Sequence, residues 1–160
     1  MNKARVKKVL FALAAFLVLI QIFQPRRTNP PVVPSRSLAA HVQIPKDVHS
    51  ALMRACGDCH SNQTHWPWYS HIAPFSWVIT DDVNQARRNV NLDDWEAQEG
   101  PKQANDHLID LCKEVQQKGM PLFSYRLLHR DARLKAQEIA SLCSWSSSFE
   151  VAPIGTGHLP

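Results

Sequence analysis

One pair of cysteines, followed directly by a histidine, constrains this chain more than any other feature of its sequence. The run is Cys56-Gly57-Asp58-Cys59-His60. C-x-x-C-H is the sequence form of c-type haem attachment. One turn of chain can present both thiols to the two vinyl groups on one porphyrin edge, and the next residue can bind the iron. We therefore expect one haem c per chain, attached to Cys56 and Cys59, with His60 as the proximal iron ligand.

Other chemistry also uses a C-x-x-C pair. A zinc site would need two further ligands. The candidates are His49, His65, Cys112 and Cys143. A thioredoxin-like redox pair would need a βαβ context, of which the sequence gives no sign. The four cysteines could also simply form two disulfides. The haem interpretation is favoured because the compartment predicted from the amino terminus agrees with it.

The amino terminus predicts insertion into a membrane. Residues 9–23 are nearly continuously apolar, and four basic residues precede them. This layout is typical of an export signal or a short anchor. No small-x-small cleavage site follows directly, so we interpret residues 1–24 as an uncleaved signal-anchor helix. The Lys and Arg excess before it predicts a single pass through the cytoplasmic membrane, with the domain in the periplasm.

The charge and the prolines divide the rest of the chain. Of the 18 Lys and Arg residues, six lie in residues 1–27 without an acid, and the remaining chain has a net charge of −2. This distribution argues for membrane orientation and against a nucleic-acid partner. Four prolines within residues 25–44, with Pro45 directly after them, predict an extended linker over residues 25–44. After this linker we expect a haem-binding domain over residues 45–145 and a flexible tail over residues 146–160.

Helical periodicity dominates the predicted domain, so we expect an all-α fold with long loops. The predicted helices cover about residues 45–56, 79–90, 101–118 and 131–145. Gly119 is placed to end the third of them. No stretch alternates at period two over enough residues to predict a strand.

Two longer runs carry a resemblance to a known family. They are CGDCHSNQTHWPWYSHIAPFSWVITDDV (Cys56–Val83) and GMPLFSYRLLHRDARL (Gly119–Leu134). Over about residues 45–145 the chain resembles the bacterial haem-binding domain proteins of cytochrome c type. The resemblance implies a small cytochrome c-like domain wrapped around haem. It also implies that Cys56, Cys59 and His60 hold the haem.

Met120 is the residue that we predict as the distal iron ligand. It follows Gly119, where a helix is expected to end, so its side chain can be directed independently of a helix face. Met1 is terminal, and Met53 lies in the helix that leads into the motif. His129 is the alternative ligand, and an open or water-ligated iron is another.

Large aromatic residues close to the motif are predicted to wall the haem pocket. They are Trp66, Trp68, Tyr69 and Trp77. Flat side chains suit such walls, and an indole N–H can meet a propionate. The alternative is an ordinary core cluster.

The other two cysteines are predicted to form a disulfide. Cys112 and Cys143 lie on the inward faces of two predicted helices and should form a disulfide in an oxidising compartment.

A membrane-anchored monohaem electron carrier is the function that these features favour. An iron with two protein ligands can change its oxidation state but has no position for a substrate. The sequence contains one C-x-x-C-H and no catalytic triad pattern or phosphate loop, so we expect a haem-binding carrier with a redox partner protein rather than an enzyme. A haem-based gas sensor and a peroxidase-type enzyme that uses His129 are the alternatives.

Overall fold

The computed structural model describes residues 2–95 and 100–151, and for residues 100–105, 150 and 151 it describes the backbone alone. The chain forms α-helices and short 3-10 turns, and the described residues contain no strand. The helices are α1 (Lys3–Leu19), α2 (Leu38–His41), α3 (Lys46–Ala55), α4 (Gly57–His60), α5 (Phe75–Asn89), α6 (Gly100–Gln116), α7 (Phe123–Leu128) and α8 (Ala136–Val151). The prediction of an all-α fold is confirmed.

The core lies between α3, α6 and α8. The helical period of α3 turns its apolar residues to one face. Its buried residues are Val48, Ala51, Leu52 and Ala55. Val48, Ala51 and Leu52 pack against α8, whose Leu142 is completely buried. Burial of a leucine side chain of this kind stabilises the fold by about 2 kcal/mol. Because α3 ends at Ala55, this core holds the C-x-x-C-H segment at its edge.

A disulfide joins α6 to α8. The Cys112 and Cys143 sulfurs are 2.05 Å apart, and the two Cα atoms are 4.6 Å apart. The two residues are separated by 31 positions in the sequence. A cross-link of this span removes conformational freedom chiefly from the unfolded chain, and it therefore stabilises the packing of the two helices.

The end of α6 differs from the prediction that Gly119 stops the helix. α6 ends at Gln116, and the residue with left-handed backbone is Lys118, with φ of 60°. The carbonyl of Glu114 accepts the N–H groups of Gly119 at 3.0 Å and of Met120 at 3.3 Å. These two bonds turn the chain at Lys118, one residue earlier than the glycine suggests. Met120 therefore follows the turn directly.

The last helix also has different limits from the predicted ones. α8 begins at Ala136, five residues later than expected, and continues to Val151. The Glu138 carboxylate accepts the backbone N–H of Lys135 at 2.7 Å, which caps the helix at this point. Residues 146–151 of the predicted tail are thus helical, while 152–160 lie outside the described residues.

Glu138 gives the fold a testable dependence on pH. The Lys135 N–H, together with the Arg54 guanidinium, holds the pKa of Glu138 below its ordinary value. A depressed carboxyl pKa contributes stability above the unfolded value of about 4.3, and this contribution is lost as the pH falls through the folded value. We expect Glu138→Gln to lower the free energy of unfolding at pH 7 by about 0.5–1 kcal/mol.

The measurement is urea unfolding of wild type and variant at pH 7 and at about pH 3.5, where the difference should shrink. Asp106→Asn, which removes an exposed carboxylate from α6, controls for the loss of a charge alone. An equal loss of stability at both pH values would contradict the assignment.

The last part of the predicted linker, residues 38–44, lies against the domain, whereas the sequence predicts a spacer between membrane and domain. Leu38 is buried in the core, and its backbone N–H donates to the Leu92 carbonyl at 2.8 Å. The indole N–H of Trp145 donates to the Gln43 carbonyl at 3.0 Å. These contacts make residues 38–44 part of the domain itself.

The amino-terminal helix α1 presents apolar side chains on all sides. Its exposed large residues include Val9, Leu10, Phe11, Leu13, Phe16 and Leu17. The helix has 17 residues and ends at Leu19, where a 3-10 turn over Ile20–Ile22 follows. None of the helices within residues 2–95 and 100–151 has both the length and the hydropathy needed to cross a bilayer. The anchor over residues 1–24 stays a prediction.

Candidate functional site

A cavity of about 510 Å³ lies beside the core, between α3, α4, α5, α6 and the segment after α6. This volume falls in the range of small-molecule and cofactor sites. Its apolar wall residues include Leu52, Ala55, Ala86, Val90 and Leu111. Cys56, Cys59, His60 and Met120 also line it. The motif and the predicted distal ligand therefore share one cavity.

The one-turn helix α4 presents the motif to this cavity. The Cys56 N–H continues the hydrogen-bonding pattern of α3 by donating to the Leu52 carbonyl at 2.8 Å. The His60 N–H then donates to the Cys56 carbonyl, also at 2.8 Å, and closes the next turn. Cys56, Cys59 and His60 thus lie within one helical turn, which is anchored to the core through α3.

The imidazole of His60 is held in one tautomer. Its Nδ1 lies 3.0 Å from the Val90 carbonyl, which can only accept, so Nδ1 carries the proton and Nε2 keeps its lone pair. Burial lowers the pKa of His60 below its ordinary value and keeps the ring neutral. A neutral histidine whose Nδ1–H is bound to a carbonyl is the usual form of a metal-ligating imidazole.

Further hydrogen bonds fix the position of the Val90 carbonyl. The Leu92 N–H donates to the His60 carbonyl at 2.7 Å. The Asn62 N–H donates to the buried carboxylate of Asp93 at 3.0 Å. The chain around His60 and the chain around Val90 are therefore joined at several points. Such second-layer contacts orient a ligand ring before the metal binds.

The cysteine thiols of the motif are in the protonated form. Burial, and then the neighbouring Cys59, raise the pKa of Cys56 to about 12. Burial, with the carboxylates of Asp58 and Asp82, raises the pKa of Cys59 to about 11. A thioredoxin-like pair needs a lowered thiol pKa. This environment therefore argues against dithiol redox chemistry.

The remaining alternatives for the four cysteines are also disfavoured. Cys112 and Cys143 are bound to each other, so neither is available as a zinc ligand beside Cys56 and Cys59. Among the residues that the structure describes, no group of three or more His, Cys, Asp or Glu side chains could hold a metal ion. Cys56 and Cys59 are free.

Of the two predicted distal ligands, Met120 lines the cavity and His129 does not. The His129 ring stacks on Tyr125 with 4.1 Å between ring centroids, and its Nε2 is hydrogen-bonded to the Tyr69 hydroxyl.

His107 also lines the cavity, from α6, although the sequence interpretation did not select it. It precedes Leu111 by four residues, so the two side chains lie on the same helix face. This spacing is the signal that could have identified His107 as a cavity residue.

The four aromatic residues that the sequence predicts as pocket walls lie elsewhere: Trp66, Trp68, Tyr69 and Trp77. The Trp66 indole donates to Asn29 Oδ1 at 3.1 Å, and the Trp77 indole donates to the Phe23 carbonyl at 2.6 Å. Trp68 is 75% exposed. The Tyr69 hydroxyl is bonded to His129. None of the four side chains lines the cavity, because their partners are the amino-terminal segment, His129 or solvent.

Tyr125 of α7 is an aromatic residue that does line the cavity. Its hydroxyl donates to Asp58 Oδ2 at 2.6 Å. Burial and this hydrogen bond raise the pKa of Tyr125 far above its ordinary value, so the phenol remains a donor. Asp58 Oδ1 also accepts the His65 N–H at 3.0 Å. Asp58, between the two motif cysteines, thus ties α4 to α7 and to the loop after the motif.

The residues of the cavity fit a haem group. Two thiols and a neutral imidazole come from one short segment, a thioether from Met120 is available, and the walls are largely apolar. Iron in haem proteins takes imidazole and thioether ligands, and an apolar site limits contact of the iron with water.

Comparison with known proteins agrees with this reading of the cavity. No curated protein and no solved structure matches the chain. A family model, described as a haem-binding domain, matches residues 15–148, which include the motif, Met120 and both disulfide cysteines. The chain therefore belongs to the haem-binding domain family.

Proposed function

We propose that the protein is a membrane-anchored monohaem c-type cytochrome domain that carries electrons on the periplasmic side of the cytoplasmic membrane. The observation that carries the proposal is the His60 ring, which faces the cavity beside Cys56 and Cys59 with its Nδ1 bound to Val90. Cys56 and Cys59 would hold the haem through thioether bonds, and His60 Nε2 and the Met120 thioether would hold its iron.

Electron transfer is the chemistry that such a site favours. Haem iron bound there supplies one-electron exchange. With Met120 and His60 both holding it, the iron would have no position left for a substrate. The Val90 carbonyl makes the imidazole more electron-donating through its hydrogen bond. The Asp82, Asp110 and Glu114 side chains also line the cavity, and their carboxylates favour the more positive, oxidised state.

Attachment to a membrane is supported by two features. α1 begins with basic residues and exposes apolar side chains along its length. The Cys112–Cys143 disulfide suits an oxidising compartment such as the periplasm, which is also where c-type haem is attached. The two features support the same orientation, with the basic end of α1 on the cytoplasmic side.

Replacing Met120 by alanine tests the axial ligand. We expect Met120→Ala to remove the near-infrared sulfur-to-iron absorption band of the oxidised protein and to let the reduced protein bind carbon monoxide, because the sixth position is then open. His129→Ala should leave both properties unchanged, since His129 does not line the cavity. The measurement is absorption spectroscopy of oxidised and reduced protein, with and without carbon monoxide.

Three results would contradict the carrier assignment or its ligand. A band that survives Met120→Ala would exclude Met120. A wild-type protein without the band that binds carbon monoxide only after His107→Ala would assign the sixth ligand to His107. A readily formed carbon monoxide complex of the wild-type protein would favour a gas-binding sensor over a pure electron carrier.

A further inference from the structure

An exposed apolar surface lies where the amino-terminal segment meets the domain. We call it the junction patch, and its residues are Ile22, Phe23, Ile72, Phe75, Trp77 and Val78. Each is at least 40% exposed. Isolated apolar side chains are common on protein surfaces, but a contiguous group of large ones usually marks an interaction site.

Hydrogen bonds fix this patch to the end of α1. The Trp77 indole N–H donates to the Phe23 carbonyl at 2.6 Å. The Gln21 side chain donates to the Ala73 carbonyl at 3.1 Å and accepts the Ala73 N–H at 2.9 Å. The apolar surface of α1 therefore continues directly onto the domain, and the junction between them is held in one arrangement.

Basic residues border the patch. Arg26 and Arg27 follow it in the sequence, and the Arg27 guanidinium donates to the Ser70 carbonyl at 3.2 Å, which keeps it beside the domain. Tryptophan, large apolar side chains and arginine together form the composition that favours the interface of a bilayer with anionic headgroups.

We propose that the junction patch docks on the surface of a bilayer that contains anionic lipid, so that the domain has one fixed orientation on the membrane. This inference rests on the proposed membrane attachment of α1. Lipid is the favoured occupant because the patch continues the apolar surface of α1 and because Arg26 and Arg27 border its amino-terminal side, where they complement anionic headgroups. The acidic Asp82 lies one turn beyond Val78 on α5, away from that side.

Docking would also fix the position of the cavity relative to the lipid surface. Phe75, Val78 and Asp82 follow each other at three- and four-residue spacing on one face of α5, and Asp82 lines the cavity. Seven residues of helix span roughly 10 Å. The mouth of the cavity would therefore lie close to the lipid surface, within reach of a redox partner that presents its own centre there.

The experiment is hydroxyl-radical footprinting of the full-length haem-loaded protein in nanodiscs of phosphatidylcholine and phosphatidylglycerol, with one chain per disc. Phe75 is 61% exposed and Phe123 of α7 is 72% exposed, so the two phenylalanines form a matched pair. We expect Phe75 to be oxidised about fivefold more slowly than Phe123, because lipid covers only the junction patch. Phe11 of α1 reports membrane attachment separately.

The possible outcomes separate docking of the patch from membrane attachment of α1. Equal rates at Phe75 and Phe123, with Phe11 protected, would overturn docking and leave the attachment intact. Oxidation of Phe11 as fast as Phe123 would overturn both. Protection of Phe75 that appears only with several chains per disc would assign the patch to a second copy and overturn the lipid assignment.

A pair of surface variants provides a second readout. Phe75→Asp combined with Val78→Asp should raise the oxidation of Trp77 about threefold, since charged side chains leave the interface. Phe123→Asp should leave the Trp77 rate unchanged. All three positions are well exposed, so the variants are expected to fold. An unchanged Trp77 rate in the Phe75/Val78 variant would count against docking.

Discussion

Replacing Cys56 and Cys59 together by serine is expected to abolish covalent haem attachment completely. Wild-type protein should keep one haem per chain through denaturation and extraction with acidified organic solvent, and the variant should keep none. Serine hydroxyls cannot form the thioether bonds that the two thiols supply. His60 and Met120 still line the cavity in the variant, so it should retain some haem that is extractable.

The measurement is intact-protein mass spectrometry after extraction, combined with the absorption spectrum before it. The chain carries its own control, because the other two cysteines form a disulfide remote from the motif in sequence. Replacing Cys112 and Cys143 by serine should leave the attached haem in place. Haem that stays covalently bound in the Cys56/Cys59 variant would contradict the proposed attachment.

The second large effect concerns stability. Replacing Cys112 and Cys143 together by alanine is expected to lower the free energy of unfolding substantially, because the bridge closes a loop of 31 positions between α6 and α8. The chain-entropy model gives a loss of roughly 3–4 kcal/mol for a loop of this length. For a domain of this size that is a large part of the total stability.

Urea unfolding at neutral pH measures this difference. Reduced wild-type protein should unfold at about the same urea concentration as the variant, since both lack the cross-link. A change below about 1 kcal/mol would show that packing alone joins α6 to α8. Retention of covalent haem by the variant would separate this loss of stability from any loss of the cofactor.

Local patterns in the sequence predicted the parts of the fold that depend on local physics. The apolar spacing before the motif marked α3, and the inward faces of the last two long helices brought Cys112 close to Cys143. Met120 was placed by its position after a helix end, and it does line the cavity. In α3 and before Met120 the deciding residues lie within a few turns of each other in the chain, and each of the two cysteines lies on a helix face that a local pattern predicts.

The features that the sequence did not reveal depend on contacts between distant segments. Trp66 and Trp77 look like pocket walls by type, yet their indoles bind Asn29 and the Phe23 carbonyl. No local pattern encodes such partners. α7 was also missed, because six residues are too few to show a helical period. α7 holds the motif segment through the hydrogen bond from the Tyr125 hydroxyl to Asp58, which joins residues far apart in the sequence.

We propose that one haem is bound covalently in this cavity by Cys56 and Cys59, with His60 as a ligand of its iron. A pyridine haemochrome spectrum tests it most directly, on full-length protein that has been exported from cells competent in c-type haem maturation. We expect the absorption of a haem with both vinyl groups saturated, at one haem per chain. A spectrum of haem with intact vinyl groups, or a protein without haem, would contradict it.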